Sequence, residues 1–337
     1  MSNFNPNEMS IKGNLFGLDF NTENAKVVVI PVPWEATVSF GSGTSKAPEE
    51  VLETSFQIDL FNSDLNDAWK EGISMDVFNK DIIEKNEKIS AISKNYISLI
   101  ENGGEEDLNI INEVDKSGEW LNDKVEEIST NWLNKNKLVA LVGGEHSIAL
   151  GLIKAVSKKY ESFSILQIDA HADLRQSYEN FKYSHATIMN HASRISNVNK
   201  IVQVGIRDYC EFENKYAQNN NKIEMITDKY IKEQLYNGKF WVDIVLDIIS
   251  KINDKNIYIS FDIDGLNPYL CPNTGTPVPG GLEFEQVEFL LKKIKESGKK
   301  IIGFDLSETG ISENKWDEMV SARILFLLSS YMISTNI

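Results

Sequence analysis

From Lys137 onward the chain alternates short β-branched apolar runs with amphipathic ones, and this alternation limits the fold more than any other feature. Leu138 to Val142, Phe163 to Ile168, Ile201 to Val204, Ile257 to Phe261 and Lys300 to Phe304 read as buried strands. Ser147 to Tyr160, His185 to Ile195, Phe240 to Ile252, Glu283 to Glu296 and Trp316 to Ser334 read as helices between and after them. Strands that alternate with helices predict a parallel sheet covered on both faces. In such a sheet, ligands bind beyond the carboxyl ends of the strands. Before Lys137 the pattern is sparser. A polar arm, residues 1–25, precedes the strand Lys26 to Val32, and Pro48 opens a helix expected to reach about Phe61. Two longer helices are expected over Asp81 to Glu101 and Leu108 to Asn134, with Gly103 and Gly104 breaking between them. No linker divides residues 26–337, which read as a single domain.

The polar residues that interrupt these runs are concentrated where the strands end. Val142 leads into Gly143-Gly144-Glu145-His146, and Ile168 into Asp169, His171 and Asp173. Phe261 leads into Asp262 and Asp264, and Phe304 into Asp305 and Glu308. In extended backbone, residues two apart share a face, so Asp169, His171 and Asp173 are expected on one side of the chain. Buried carboxylates and imidazoles are costly unless a cation sits among them. His146, Asp169, His171, Asp173, Asp262 and Asp264 together offer oxygen and imidazole ligands without a thiolate, a set suited to a pair of Mn²⁺-like ions more than to structural zinc. Zinc, iron and nickel also accept such ligands. Two divalent ions about 3.5–4 Å apart acidify a water between them toward neutrality. His191 has no motif around it and reads as structural or surface.

Charge and cysteine usage narrow the setting. Lys plus Arg number 34 against 50 Asp plus Glu, a formal charge of −16, which disfavours nucleic acid and anionic membranes and suits a small cationic substrate. Cys210 and Cys271 form neither a metal knuckle nor a disulfide framework. The first residues do not resemble a signal peptide, and no run reaches membrane-spanning length. The expectation is a cytoplasmic protein.

Five motifs in order, GGEHS at 143–147, DAHAD at 169–173, SFDIDGLNP at 260–268, TGTPVPGG at 274–281 and DLSE at 305–308, resemble the signature set of the ureohydrolases, the arginase and agmatinase superfamily. The resemblance spans roughly residues 26 to 330. It implies a three-layer α/β/α sandwich around a mostly parallel sheet of about eight strands, and a homotrimer or homohexamer. It also implies hydrolysis of a guanidinium group to urea and an amine, with two Mn²⁺ as cofactors and Ni²⁺ as the alternative. By the same resemblance His146, Asp169, Asp173 and Asp262 would hold one ion, and Asp169, His171, Asp262 and Asp264 the other. Glu308 would orient the guanidinium, Thr276 would touch the same end of the substrate, His185 would pass a proton to the leaving amine, and Asp173 would accept a hydrogen bond from the nucleophile.

Some positions depart from the arginase pattern. Glu145 stands where many members have Asp, Arg175 where arginases carry Asn, and Cys210 where they carry an acid for the substrate's α-amino group. The first is conservative and the other two disfavour L-arginine, while DLRQSYENFKYSHATIM at 173–189 resembles agmatinase-type members, which implies agmatine, hydrolysed to putrescine and urea. Guanidinobutyrate, guanidinopropionate and free guanidine remain alternatives to be decided by the loops 35–47, 174–184 and 205–214. Arg175 either meets a substrate carboxylate or salt-bridges within its loop. Formiminoglutamate fits less well, for want of a basic cluster. A metal-dependent deacetylase would need paired histidines, and a non-catalytic regulatory homologue would be marked by lost ligands.

Overall fold

A computed structural model describes residues 5–8, 10, 13–65 and 67–337. Its strands are β1 (Val27–Val32), β2 (Ile73–Met75), β3 (Leu138–Gly143), β4 (Phe163–Ile168), β5 (Val198–Ile206), β6 (Ile223–Thr227), β7 (Asn256–Asp262) and β8 (Lys300–Ser307). They form one sheet in the order β2-β1-β3-β8-β7-β4-β5-β6, and every pairing is parallel. Strand residues alternate between two apolar layers. Val27, Val29, Ala140, Val142, Leu166 and Ile168 pack on one face, and Val28, Ile30, Val139, Leu141 and Ile165 on the other. The expected α/β sandwich, three layers around eight parallel strands, is the fold found.

The second face is covered by α2 (Lys80–Glu101), α3 (Leu108–Asn134), α4 (Ala149–Lys159) and α5 (Ile188–Ser193). The first face is covered by α1 (Ala47–Ser55), α7 (Asp228–Tyr236), α8 (Trp241–Lys251), α9 (Phe284–Glu296) and α10 (Trp316–Ser334), while α6 (Glu211–Asn219) packs Ala217 on the second face. α10 is buried on nearly all sides, as its lack of a polar face requires. Pro31 is tolerated inside β1 because β2 covers only Val27 to Val29, so the side where a Pro31 amide would point is already free of a neighbour.

Several boundaries differ from the sequence expectation. α1 stops at Ser55, six residues before Phe61, where the Thr54 and Ser55 hydroxyls turn back onto the Glu50 and Leu52 carbonyls. β2, α6, β6 and α7 are additional elements; their burial is one-sided or their length short, so their periodicity is faint. The polar stretch 218–221 contains the end of α6. In the N-terminal arm, Leu15, Phe16 and Leu18 are buried in the first layer, with Phe16 edge-on to Phe326 at 5.2 Å. Among the described residues no helix is long and apolar enough to cross a membrane.

Candidate metal centre and active site

The four neighbouring strands at the middle of the sheet, β3, β8, β7 and β4, deliver the polar clusters to one place. Gly143 and Gly144 at the end of β3 are required by close approach, not by a left-handed backbone. A Cβ on Gly144 would lie 1.9 Å from the Trp34 carbonyl oxygen, and one on Gly143 would lie 1.8 Å from Ile148 Cδ1. The Glu145 amide donates to that same Trp34 oxygen (2.9 Å), so the turn after β3 is clamped against the turn after β1. His146 follows, buried.

The DAHAD segment does not continue β4 as extended chain. β4 ends at Ile168, and Asp173 has a left-handed backbone (φ 53°), which corrects the expectation of three residues on one strand face. Ala170 and Ala172 are fully buried, and the segment is held from several directions. The His171 amide donates to Asp169 Oδ1 (2.6 Å), the Ala170 amide to Asp264 Oδ1 (3.0 Å), and the Met189 and Asn190 amides to the Asp173 carbonyl. Asp264 is placed in turn by its amide's bond to Asp262 Oδ1 (2.9 Å). Glu308 shares the left-handed conformation (φ 60°). Its amide donates to the Gly144 carbonyl, and its Oε1 accepts from the His146 amide at 2.8 Å. Two non-glycine residues in this sparsely populated region, both beside the same cluster, mark a site whose surroundings hold its backbone in place.

All six expected ligands are brought together. His146 Nδ1 lies 2.9 Å from Asp173 Oδ2, 3.2 Å from Asp169 Oδ2 and 3.6 Å from Asp262 Oδ2. His171 Nδ1 lies 3.0 Å from Asp264 Oδ2 and 3.7 Å from Asp169 Oδ1. Two groups result, His146 with Asp169 and Asp262, and Asp169 with His171 and Asp264; ligand atoms within each lie within 4.8 Å of one another. Asp169 belongs to both. Behind His146, Nε2 meets Ser260 Oγ at 2.8 Å; Ser260 and Tyr258 both donate to Asp305, so this acid orients the imidazole from the side away from the cluster.

The electrostatics are those of a site short of positive charge. Burial opposes protonation of His146 and His171, but the surrounding carboxylates win, raising His146 well above its ordinary value and His171 to about 12. Burial, then the Asp169 charge, pushes Asp173 up to about 7. Burial and the neighbouring acids push Asp262 and Glu308 well up. The donors are oxygen and imidazole nitrogen only; the Cys271 thiol is turned to the Ile263 carbonyl. Such a set fits hard divalent cations, which would take the place of the protons on the two rings.

Above the cluster opens a cavity of about 140 Å³ lined by His171, Asp173, His185, Thr276 and Ser39, with Arg175, Tyr178, Asp208 and Glu213 farther round. Burial, and after it the His171 and His146 charges, lower His185 to about 3. Glu308 is not among the lining residues and stands against the His146 backbone. His191 bonds the Lys182 carbonyl (2.8 Å) and stacks on Tyr183, a structural placement. Cys210 caps α6 away from the cavity. Arg175 is engaged within its own neighbourhood, with Nε 3.7 Å from Glu213 and its guanidinium over the Tyr178 ring at 5.0 Å. Asp208 was missed by sequence reasoning. It follows β5 as Asp169 follows β4, and the strand-end rule applied to that strand would have found it.

The sequence profile of the arginase family matches residues 25–313. The chain belongs to the arginase family. It is 30% identical over 305 residues to an N(1)-aminopropylagmatine ureohydrolase of Thermus thermophilus, covering 90% of this chain and 89% of that one. It is 26% identical over 289 residues to the agmatinase of Halalkalibacterium halodurans, covering 86% and 85%. The agmatine ureohydrolase of Thermoplasma volcanium superposes with a TM-score of 0.72 at 23% identity over 96% of this chain and 95% of that one, a likeness of fold. The arginase-family ureohydrolase read from the five motifs is thereby borne out. The chain is an agmatinase-like, metal-dependent hydrolase of guanidino C–N bonds.

Proposed function

We propose that this arginase-family enzyme hydrolyses agmatine to putrescine and urea with two divalent ions, Mn²⁺ first and Ni²⁺ as the alternative. His146, Asp169, Asp173 and Asp262 would hold one ion, and Asp169, His171, Asp262 and Asp264 the other. The observation that carries the reading is the pair of ligand groups sharing Asp169, whose His171 lines a cavity together with Asp173. The bridging role of Asp262 rests on the family resemblance, since Asp262 falls only in the first group. When bound, the ions supply Lewis acidity and an acidified water, which a guanidinium needs because its delocalised cation is a poor electrophile. The chain's own residues do the rest. Asp173 accepts a hydrogen bond from the nucleophile, Glu308 orients the planar guanidinium through charge-assisted bonds, Thr276 touches the same end, and His185 carries a proton to the departing amine nitrogen.

The end group follows from the cavity's free charge. Glu213 is occupied by Arg175 and by the Leu174 and Cys210 amides. Arg175 is drawn toward Glu213 and the Tyr178 ring, whereas the Asp208 side chain is 69% exposed and meets His171 Nε2 only at 4.0 Å. An uncommitted carboxylate favours an amine-ended substrate over guanidinobutyrate or formiminoglutamate. N(1)-aminopropylagmatine, named for the Thermus relative, is the second reading. Urea release from the Mn²⁺-loaded and Ni²⁺-loaded enzyme tests both, with agmatine, aminopropylagmatine, arginine, 4-guanidinobutyrate and guanidine offered side by side. Activity on the amine-ended pair alone is expected; urea from guanidinobutyrate or arginine at comparable kcat/KM would overturn the end-group argument. A trimer or hexamer in solution is proposed on the resemblance and is tested by light scattering.

A further inference from the structure

We propose that Gln167 and Gln203, side by side on β4 and β5, are positioning residues of the ion site, holding the shared carboxylate Asp169 and the backbone around His171. The inference rests on the reading of the metal centre above and deepens it. The parallel register sets Gln203, Gln167, Ser260 and Asp305 next to one another on β5, β4, β7 and β8. Strand residues alternate between faces, so the row lies in the second layer. All four residues are fully buried. Two positions earlier the same face carries Ile201, Ile165 and Tyr258, an ordinary core row. Polar groups in such a place are destabilising unless hydrogen-bonded, so the row calls for a reason. Ser260 and Asp305 have theirs behind His146. The two glutamines reach the DAHAD segment.

A carboxamide has one acceptor oxygen and two N–H donors. Gln167 Nε2 lies 2.8 Å from Asp169 Oδ2 and 3.3 Å from the His171 carbonyl oxygen. Gln203 Nε2 lies 2.5 Å from Gln167 Oε1 and 2.7 Å from the Ala172 carbonyl oxygen. Each amide thus uses both donors, and its direction is set by a backbone carbonyl, which can only accept. Turning Gln167 over would set its oxygen against the His171 carbonyl and its NH₂ against that of Gln203. Turning Gln203 over would set its oxygen against the Ala172 carbonyl and the Gln167 oxygen. The orientation therefore holds whatever protons the nearby acids carry. Gln203 Oε1, buried without a hydrogen-bond partner among the described residues, is the far end of the series. The two Asp169 oxygens face different ligand groups. Oδ2 lies 3.2 Å from His146 Nδ1, and Oδ1 lies 3.7 Å from His171 Nδ1. Oδ1 is aimed from within the segment, by the His171 amide, whereas the amide that aims Oδ2 belongs to Gln167, in the sheet. A carboxylate oxygen has two lone pairs, so Oδ2 can keep this bond while it binds an ion. Gln203 acts one step back, by holding Gln167 Oε1 and the peptide that leads into Asp173.

The test is calorimetric titration of the ion-free, full-length chain with Mn²⁺. Gln167→Met keeps the length of the side chain and removes its donors. It is expected to weaken Mn²⁺ binding about 10–100-fold, the usual effect of losing a residue that orients a ligand. Gln203→Met should weaken binding about tenfold in the wild-type background and clearly less in the Gln167→Met chain, because it acts through Gln167. A role in packing alone would lower the melting temperature of the ion-free chains and leave Mn²⁺ affinity where it was. An affinity of Gln167→Met within twofold of wild type overturns the inference, as does an equal loss from Gln203→Met in both backgrounds. If Gln167→Met does not fold, Gln203→Met decides alone by the same twofold criterion. Should wild type take up neither Mn²⁺ nor Ni²⁺, the reading of the metal centre fails instead. Thermal melts of the four ion-free chains then decide whether the glutamines act on each other, additive losses rejecting the pair.

Discussion

Asp169→Asn is the substitution that probes the site most directly, because Asp169 is the carboxylate common to both ligand groups. Its two oxygens are fully committed in the folded chain. Oδ1 accepts from the His171 amide (2.6 Å) and Oδ2 from Gln167 Nε2 (2.8 Å). An asparagine offers one oxygen and one NH₂, so whichever way it turns, a donor faces a donor. One lost buried hydrogen bond costs about 1–3 kcal/mol, and the loss of the pairing with the His146 and His171 rings outweighs the relief of repulsion from Asp173 and Asp262, so the ion-free variant should be less stable than wild type. The larger effect is on ion binding, where both groups lose their shared charge. An ion at a hundred times its Kd stabilises the folded chain by about 2.7 kcal/mol, equivalent to a rise in Tm of about 4 °C at an unfolding entropy of about 2.1 cal/mol/K per residue. Thermal unfolding with and without Mn²⁺ reads this difference. Wild type should show the shift and the variant little or none, with urea release falling to background. A variant that keeps the full Mn²⁺-induced shift, or that turns over near the wild-type rate, would refute the shared-carboxylate site.

Four further outcomes follow from particular contacts. Gly144→Ala should destabilise the chain by about 3 kcal/mol, the upper end of overpacking costs, because its Cβ meets the rigid Trp34 carbonyl; a urea-melt difference below about 0.5 kcal/mol would contradict this. Asp208→Asn should raise KM for agmatine about fivefold, as expected for about 1 kcal/mol from an exposed ion pair, with kcat little changed; an unaltered KM removes Asp208 from the substrate site. Glu179 occupies the tight turn between Tyr178 and Phe181, where burial, then the Glu101 charge, raises its carboxyl to about 7. The folded chain holds that proton after the unfolded chain has lost it, so stability falls as pH rises from 4.5 toward 7; Glu179→Gln should raise Tm at pH near 8 and leave it nearly unchanged near 4, and an equal shift at both would refute the cause. Finally, His146 and His171 must be deprotonated to bind ions, so Mn²⁺ uptake should release protons and tighten as pH rises. Calorimetry in buffers of different ionisation enthalpy measures the release, and none would exclude these rings as ligands.

What the sequence made legible was what depends on short stretches of chain. The long helices α3 and α10 were readable to the residue, α3 because its apolar spacing repeats over many turns and α10 because it is one long, largely apolar run. The clusters after β3, β4, β7 and β8 were readable because acids and histidines are out of place behind β-branched runs. β2 and β6 were not, since three residues at one edge and a half-exposed strand at the other carry no distinct pattern. The left-handed backbone of Asp173 was hidden for a different reason. Asp rarely adopts it unaided, and what imposes it is the donation of the Met189 and Asn190 amides, sixteen and seventeen positions along the chain. The role of Arg207 was equally invisible. Arg207 bonds the Gly205, Asp264, Leu266 and Val278 carbonyls, fastening the 276–281 loop to the sheet, and nothing local in GIRDYC announces that.

These long-range restraints bear on how the site binds ions. Asp173 and Glu308 hold backbone conformations costing of order 1–3 kcal/mol each, and each is fixed by at least two hydrogen bonds from outside its own segment: Asp173 by the start of α5, Glu308 by Gly144 and by Thr274 Oγ1, which donates to its carbonyl at 2.7 Å. The cost is thus met when the chain folds, by elements that do not touch the ligand atoms. Ion binding then requires that protons leave His146, His171 and the raised Asp173 and Asp262 carboxyls, and little of the coordination energy goes into reshaping the backbone. The same reasoning places the weak point of the site outside it. Cutting Thr274 or the α5 contacts should loosen ion affinity without removing any ligand, whereas substitutions on the far side of the sheet, such as those in α8, should not.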